Sequence, residues 1–182
     1  MRLRNVIGEF LWVIPVLAGT FFLLVKFGEQ ISMEHRAEVA VNEALAGLDI
    51  AVCRADPLTV AYLQEADNAL WEASQDAQSY YLRKEADQES QLAARFQFRF
   101  LQWQAIEPPA CLAVIHEHML DYFRAYERAY TVKYEGILGE ILDPVYSGYI
   151  GVGVENLEIA WRLIDALKDH PRPPGNYKFL QA

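Results

Sequence analysis

The chain has 182 residues, 53% of them hydrophobic and 23% charged. That is the balance of one folded domain plus an appendage, not of a disordered chain. Two cysteines are too few for a disulfide-dense miniprotein or a four-cysteine zinc module, and a net charge of −9 speaks against nucleic-acid binding, which needs a basic face for phosphates.

Residues 1–5 carry Arg2 and Arg4. Val6 to Val25 follows, twenty residues with Glu9 as its one charge, and Lys26 closes the run. Twenty helical residues span roughly 30 Å, the thickness of a hydrocarbon core. A secretory leader would have a shorter apolar stretch and a small-residue cleavage site. Here Phe21-Phe22-Leu23-Leu24-Val25 continues past the one small cluster, Ala18-Gly19-Thr20. The segment 6–27 therefore reads as an uncleaved signal anchor. Positive charge before it places the N-terminus in the cytoplasm and the bulk of the chain in the periplasm, against a bacterial inner membrane. Glu9 lies about one turn from the end, within reach of headgroup water. Pro15 sits mid-span and removes a backbone hydrogen bond, which neighbouring helices can offset. Both residues favour a helix packed against other membrane subunits.

Residues 28–170 read as a helical bundle. Ile31 to Cys53 places apolar residues at 37, 41, 44, 45, 48 and 52, a period near 3.6. Asp56-Pro57 is an N-cap followed by proline at the first helical position, opening a helix to about Leu82. One straight helix from 57 to 106 would run about 75 Å, so a reversal is expected within 74–91. Leu92 to Ile106 is the next helix, and Glu107-Pro108-Pro109 stops it. Ala110 to Leu142 reads as a long helix loosened at Gly136 and Gly139. Asp143-Pro144 suggests another start, residues 146–153 with three glycines an irregular stretch or a distorted helical turn, and Val154 to Lys168 the last helix. Pro171-Arg172-Pro173-Pro174-Gly175 begins an extended tail, 171–182. The fold class is all-α: a single N-terminal transmembrane helix, an extramembrane bundle of four to five helices and an extended C-terminal tail.

Up-and-down helices put Cys53 and Cys111 at one end of the bundle. An oxidising compartment then favours a disulfide, which in a chain-entropy account contributes roughly 4 kcal/mol for a loop of this length. No metal site or cofactor is expected. His116 and His118 are two apart and about 200° around a helix. Neither His-Glu-x-x-His nor Glu-x-x-His occurs. Ser147 lacks a G-x-S-x-G elbow, and Gly148-x-x-Gly151-x-Gly153 does not match the dinucleotide fingerprint. No catalytic constellation emerges.

Tyr122, Tyr126, Tyr130 and Tyr134 recur every four residues. Their plain reading is a bundle core with hydroxyls at its edge. Their sharper reading is a partner interface, because tyrosine offers apolar area and a hydroxyl at low entropic cost. The row is carried as an interface candidate with Glu9 and Pro15 of the anchor and Tyr177, Phe179 and Leu180 of the tail. From Glu29 to Glu89 thirteen acids face four bases. That half could steer a cationic protein. The expected function is a non-catalytic, single-pass accessory or structural subunit of a larger inner-membrane complex. The alternative is a periplasmic helical-bundle sensor or small-molecule-binding protein.

Overall fold

The computed structural model describes residues 28, 31–83, 88–135 and 139–168. Every element there is helical, and no strand occurs among the described residues. The chain divides into two compact units, Met1–Arg36 and Ala37–Ala182. Among the described residues no helix is long and apolar enough to cross a membrane. The expected span with Glu9 and Pro15, and the tail with Tyr177, Phe179 and Leu180, lie outside the described residues.

Helix α1 covers 31–46, and its Ala37 and Val41 are buried. The single helix expected over Ile31–Cys53 is in fact two. The chain turns at Gly47, where Leu48 N–H bonds the Leu45 carbonyl at 3.2 Å. The Asp49 carboxylate then accepts the Val52 N–H at 3.2 Å and starts α2, Ile50–Ala55. A new N-cap is cheaper there than carrying Gly47 inside a helix.

Helix α3, Pro57–Arg83, begins where Asp56-Pro57 places it. Asp56 accepts the Leu58 N–H at 3.1 Å and the Thr59 hydroxyl at 2.8 Å. Helix α4, Gln88–Gln104, runs back along it. Asp76 meets both Arg95 and Arg99, at 2.9 and 2.7 Å, and Tyr62 meets Trp103, ring to ring at 5.5 Å. The reversal thus falls between Arg83 and Gln88, inside the expected window. A short 3-10 turn, Ala110–Leu112, leads into α5, Ala113–Glu135.

Helix α6 is Gly139–Leu167, with Pro144 inside it. This corrects three expectations. The helix from Ala110 does not continue to Leu142, Asp143-Pro144 is not a helix start, and 146–153 is helical. Pro144 is the sixth residue of α6, so it removes one early backbone bond in a helix of 29 residues. Gly148 and Gly151 face open space, whereas Gly153 is buried with the Tyr126 ring against it.

The four long helices form an antiparallel bundle, α5 lying against both α4 and α6. Phe96 of α4 is its hub. Its ring centroid lies 5.7 Å from Tyr122, 5.1 Å from Tyr126 and 5.9 Å from Tyr130. Tyr130 extends the cluster to Tyr80 of α3 at 5.3 Å and Tyr146 of α6 at 6.3 Å. Each favourable ring pair adds about 0.5–1.5 kcal/mol beyond area burial. The tyrosine row is therefore core: Tyr122, Tyr126 and Tyr130 are 0%, 1% and 0% exposed, which removes them as surface anchors. Of Tyr134 only the backbone position on α5 is described.

The α6 glycines separate two effects. Alanine at Gly148 or Gly151 should raise stability by about 0.5–1 kcal/mol, because each is a helical glycine whose new Cβ meets nothing within 4 Å. Alanine at Gly153 should instead lower it by about 1–3 kcal/mol through overpacking on Tyr126. Chemical denaturation followed by circular dichroism reads both signs.

Candidate functional site

The features that join distant parts of the chain gather at one end of the bundle. Cys53 of α2 and Cys111 of the 3-10 turn stand at disulfide distance, Cα to Cα 6.2 Å. The reversal between α3 and α4 brings them there, since α3 leaves this end and α4 returns to it. The Thr59 hydroxyl lies 3.7 Å from the Cys111 sulfur. Arg54, next to Cys53, donates to the last carbonyls of α6: Nη2 to Ala166 at 2.8 Å and to Lys168 at 3.3 Å, Nε to Leu167 at 3.1 Å. The last carbonyls of a helix lack intrahelical donors, and a cation there also complements the helix dipole. The Lys168 ammonium pairs with the Asp67 carboxylate of α3. One end of the bundle is thus held by a sulfur pair, a guanidinium cap and an ion pair.

A groove of about 530 Å³ opens at this end, lined by Asp56, Leu58, Ala61, Tyr62, Glu65 and the Glu107–Ala110 connection. Leu58, Ala61, Tyr62 and Glu65 are spaced i, i+3, i+4, i+7 along α3, one helical face. Pro108 and Pro109 make the opposite wall. Leu58 is 74% exposed, a large apolar surface beside three carboxylates. The Asp56 carboxyl is held below its usual range, first by the Thr59 hydroxyl and then by the Leu58 N–H. It is therefore anionic at neutral pH while it caps α3.

A buried contact closes the groove floor. The Tyr62 hydroxyl sits 2.5 Å from His116 Nδ1, and both residues are buried. Trp103 stacks edge-on against Tyr62 and lies 6.4 Å from the His116 ring. Burial pushes the Tyr62 hydroxyl well up and the His116 imidazole down, the latter only partly offset by nearby Glu117. A protonated phenol beside a neutral imidazole makes Tyr62 the donor and Nδ1 the acceptor. The arrangement fixes a wall; the exposed chemistry is the acidic rim over an apolar face. Such a surface suits a cation carried on an aliphatic stem.

Sequence reasoning foresaw the cysteine pair, missed Arg54, Tyr62, Glu65 and Glu107, and read His116 as solvated or capping where it is buried against Tyr62. The α3 members were signalled, since the Asp56-Pro57 cap sets the phase of 58, 61, 62 and 65. Their meeting with Glu107-Pro108-Pro109 was not. His118 is likewise engaged, its Nδ1 lying 2.7 Å from the Asn156 side-chain oxygen. Among the described residues no group of three potential ligands is placed to hold a metal ion. Comparison with family models, curated proteins and solved structures gives no match.

The buried imidazole sets a pH signature. Its folded pKa lies below the unfolded value of 6.5, so the unfolded chain binds the extra proton first. Stability should be full above pH about 6.5 and fall as the pH drops below it. His116→Asn keeps an acceptor near Nδ1 but cannot titrate. It should flatten that limb while costing about 1–2 kcal/mol at neutral pH from imperfect pairing. Denaturation midpoints across pH 5–8 check both parts.

Proposed function

We propose that the chain is a non-catalytic, single-pass accessory or structural subunit of a larger inner-membrane assembly, its bundle on the periplasmic side, and that the groove beside the cysteine pair receives a basic segment of a partner subunit. The observation that carries the reading is the groove: Asp56, Glu65 and Glu107 over Leu58, Ala61 and a proline wall. An exposed apolar patch rimmed by charge of one sign suits protein docking. The acidic excess over 29–89 adds a longer-range field of the same sign. The apolar run 6–25 supports the anchor, and the positive charge before it supports the orientation. Tyr177, Phe179 and Leu180 of the tail offer further anchors for the host complex. A groove of about 530 Å³ also lies in the size range of small-molecule sites. The second reading is therefore a periplasmic sensor or binding protein for a cationic small molecule.

Topology is tested by fusing a reporter after Ala182. A periplasm-dependent reporter should be active, and peptides containing Cys53 and Cys111 should be recovered linked from protein kept oxidised throughout. Activity confined to a cytoplasm-dependent reporter, or two freely alkylated thiols, would count against the periplasmic placement.

Docking is tested by gentle detergent extraction followed by identification of what remains bound. The double variant Glu65→Gln, Glu107→Gln removes two rim charges from exposed positions. It should weaken partner retention by roughly 2- to 30-fold, from about 0.2–1 kcal/mol for each of two exposed charge pairs, and the wild-type association should loosen with added salt. A lone wild-type chain carrying a bound cationic small molecule would select the second reading. Retention unchanged by the double variant would remove the groove from the docking surface.

A further inference from the structure

Helix α6 ends beside the groove. The Lys168 carbonyl accepts from Arg54 at 3.3 Å, and Arg54 stands two residues before Asp56 on the groove rim. Lys168, the last described residue, therefore lies within about 20 Å of that rim, one arginine side chain and two Cα steps away. Its ammonium is tied to Asp67 of α3, the helix that supplies the groove's apolar face. Whatever follows Lys168 starts from this end of the bundle.

The chemistry of the two partners is converse. Residues 171–182 carry two bases, Arg172 and Lys178, and no acid, in a chain whose net charge is −9. Asp56, Glu65 and Glu107 carry the charge of the groove, and no base is among its described lining residues. Its apolar part is Leu58, 74% exposed, with Ala61, Pro108 and Pro109. Lys178 follows Tyr177 and precedes Phe179 and Leu180. A cation set among large apolar side chains is what an acidic rim over an apolar face accepts.

Reach and entropy agree. Ten residues separate Lys168 from Lys178, roughly 30 Å at the rise of an extended proline-rich chain. That exceeds the distance to the rim and leaves length to follow the groove, which runs about 14 Å along α3 from Asp56 to Glu65. Pro171, Pro173 and Pro174 fix their own φ angles, so docking surrenders less conformational freedom. A tether this short sets an effective concentration in the millimolar range. A contact with a dissociation constant of about 0.1 mM then keeps the groove roughly nine-tenths filled.

We propose that the groove's resident occupant is the chain's own tail: residues 171–182 fold back so that Lys178 meets Glu65 and Glu107 while its apolar neighbours cover Leu58 and the proline wall. The proposal rests on the reading of the groove as a dock for basic segments. A partner's basic segment must displace the tail, and displacement frees Tyr177, Phe179 and Leu180 for the host complex. The tail is thus an autoinhibitory strap.

The test uses the full chain in detergent, with a labelled synthetic peptide of residues 171–182 as probe. The double variant Arg172→Glu, Lys178→Glu gives the tail the same charge as the rim and should release it. The peptide should bind this variant at least tenfold more tightly than wild type, whose groove is filled. Adding Glu65→Gln and Glu107→Gln to the variant should lower the peptide's affinity again, as should added salt. Equal binding to wild type and to the tail variant overturns the proposal and leaves the groove as a dock for basic segments. Binding to neither also overturns it, and the groove is then judged separately by partner retention in the Glu65→Gln, Glu107→Gln chain. Peptide binding unmoved by Glu65→Gln and Glu107→Gln overturns the tail and the groove together. A wild-type dimer that Arg172→Glu, Lys178→Glu converts to monomer overturns docking within one chain and places the tail on a second copy.

Discussion

Phe96 is where the bundle closes. Tyrosines repeating every four residues drift about 40° per step around α5, so no flat neighbour could cover them all. Phe96 lies within 6 Å of Tyr122, Tyr126 and Tyr130. The drift then carries Tyr130 towards Tyr80 and Tyr146, from α3 and α6. A single drifting row thereby touches three other helices. Gly153 follows from the same constraint, because Tyr126 takes the volume that a Cβ on α6 would need. The Tyr122 hydroxyl is buried there without a hydrogen-bond partner, and burial drives its pKa up. Aromatic packing outweighs the desolvation of one phenol at this site.

The opposite strategy holds the end where the cysteines meet. That end has short elements, a six-residue α2 and a three-residue turn, beside the buried Leu112, Ile115 and Leu167. The cysteine pair and charged contacts add to packing there. Arg54 joins α2 to α6, Lys168 and Asp67 join α6 to α3, and Cys53 faces Cys111. The groove sits on this braced end, its floor held by Tyr62 and His116.

Helix α4 connects the two regimes. Its Phe96 seats the tyrosines, its Trp103 supports the groove floor, and its outer face is left to solvent with Phe98 and Leu101 exposed. Glutamines lie between these faces, and Arg95 and Arg99 there pair with Asp76 of α3. Such a helix is stabilised from one side by the chain's own core.

Local chemistry settled what the sequence determined by itself. Helical periodicity, the Asp56-Pro57 cap and the Glu107-Pro108-Pro109 stop act within a few residues, so α3, α4 and the start of the next helix were legible. The shared end for Cys53 and Cys111 followed from helix lengths and one reversal. The tyrosine row was legible as a row, but not its side, because burial depends on which neighbour arrives, and that neighbour is Phe96. The stretch 146–153, expected as irregular or a distorted helical turn, is regular helix for the same reason: packing against α5 offsets the glycines' propensity, a term that periodicity does not contain. Only tertiary structure brought Glu107 to Glu65 and Arg54 to the end of α6. Those pairings join residues tens of positions apart, and no local rule acts over that distance.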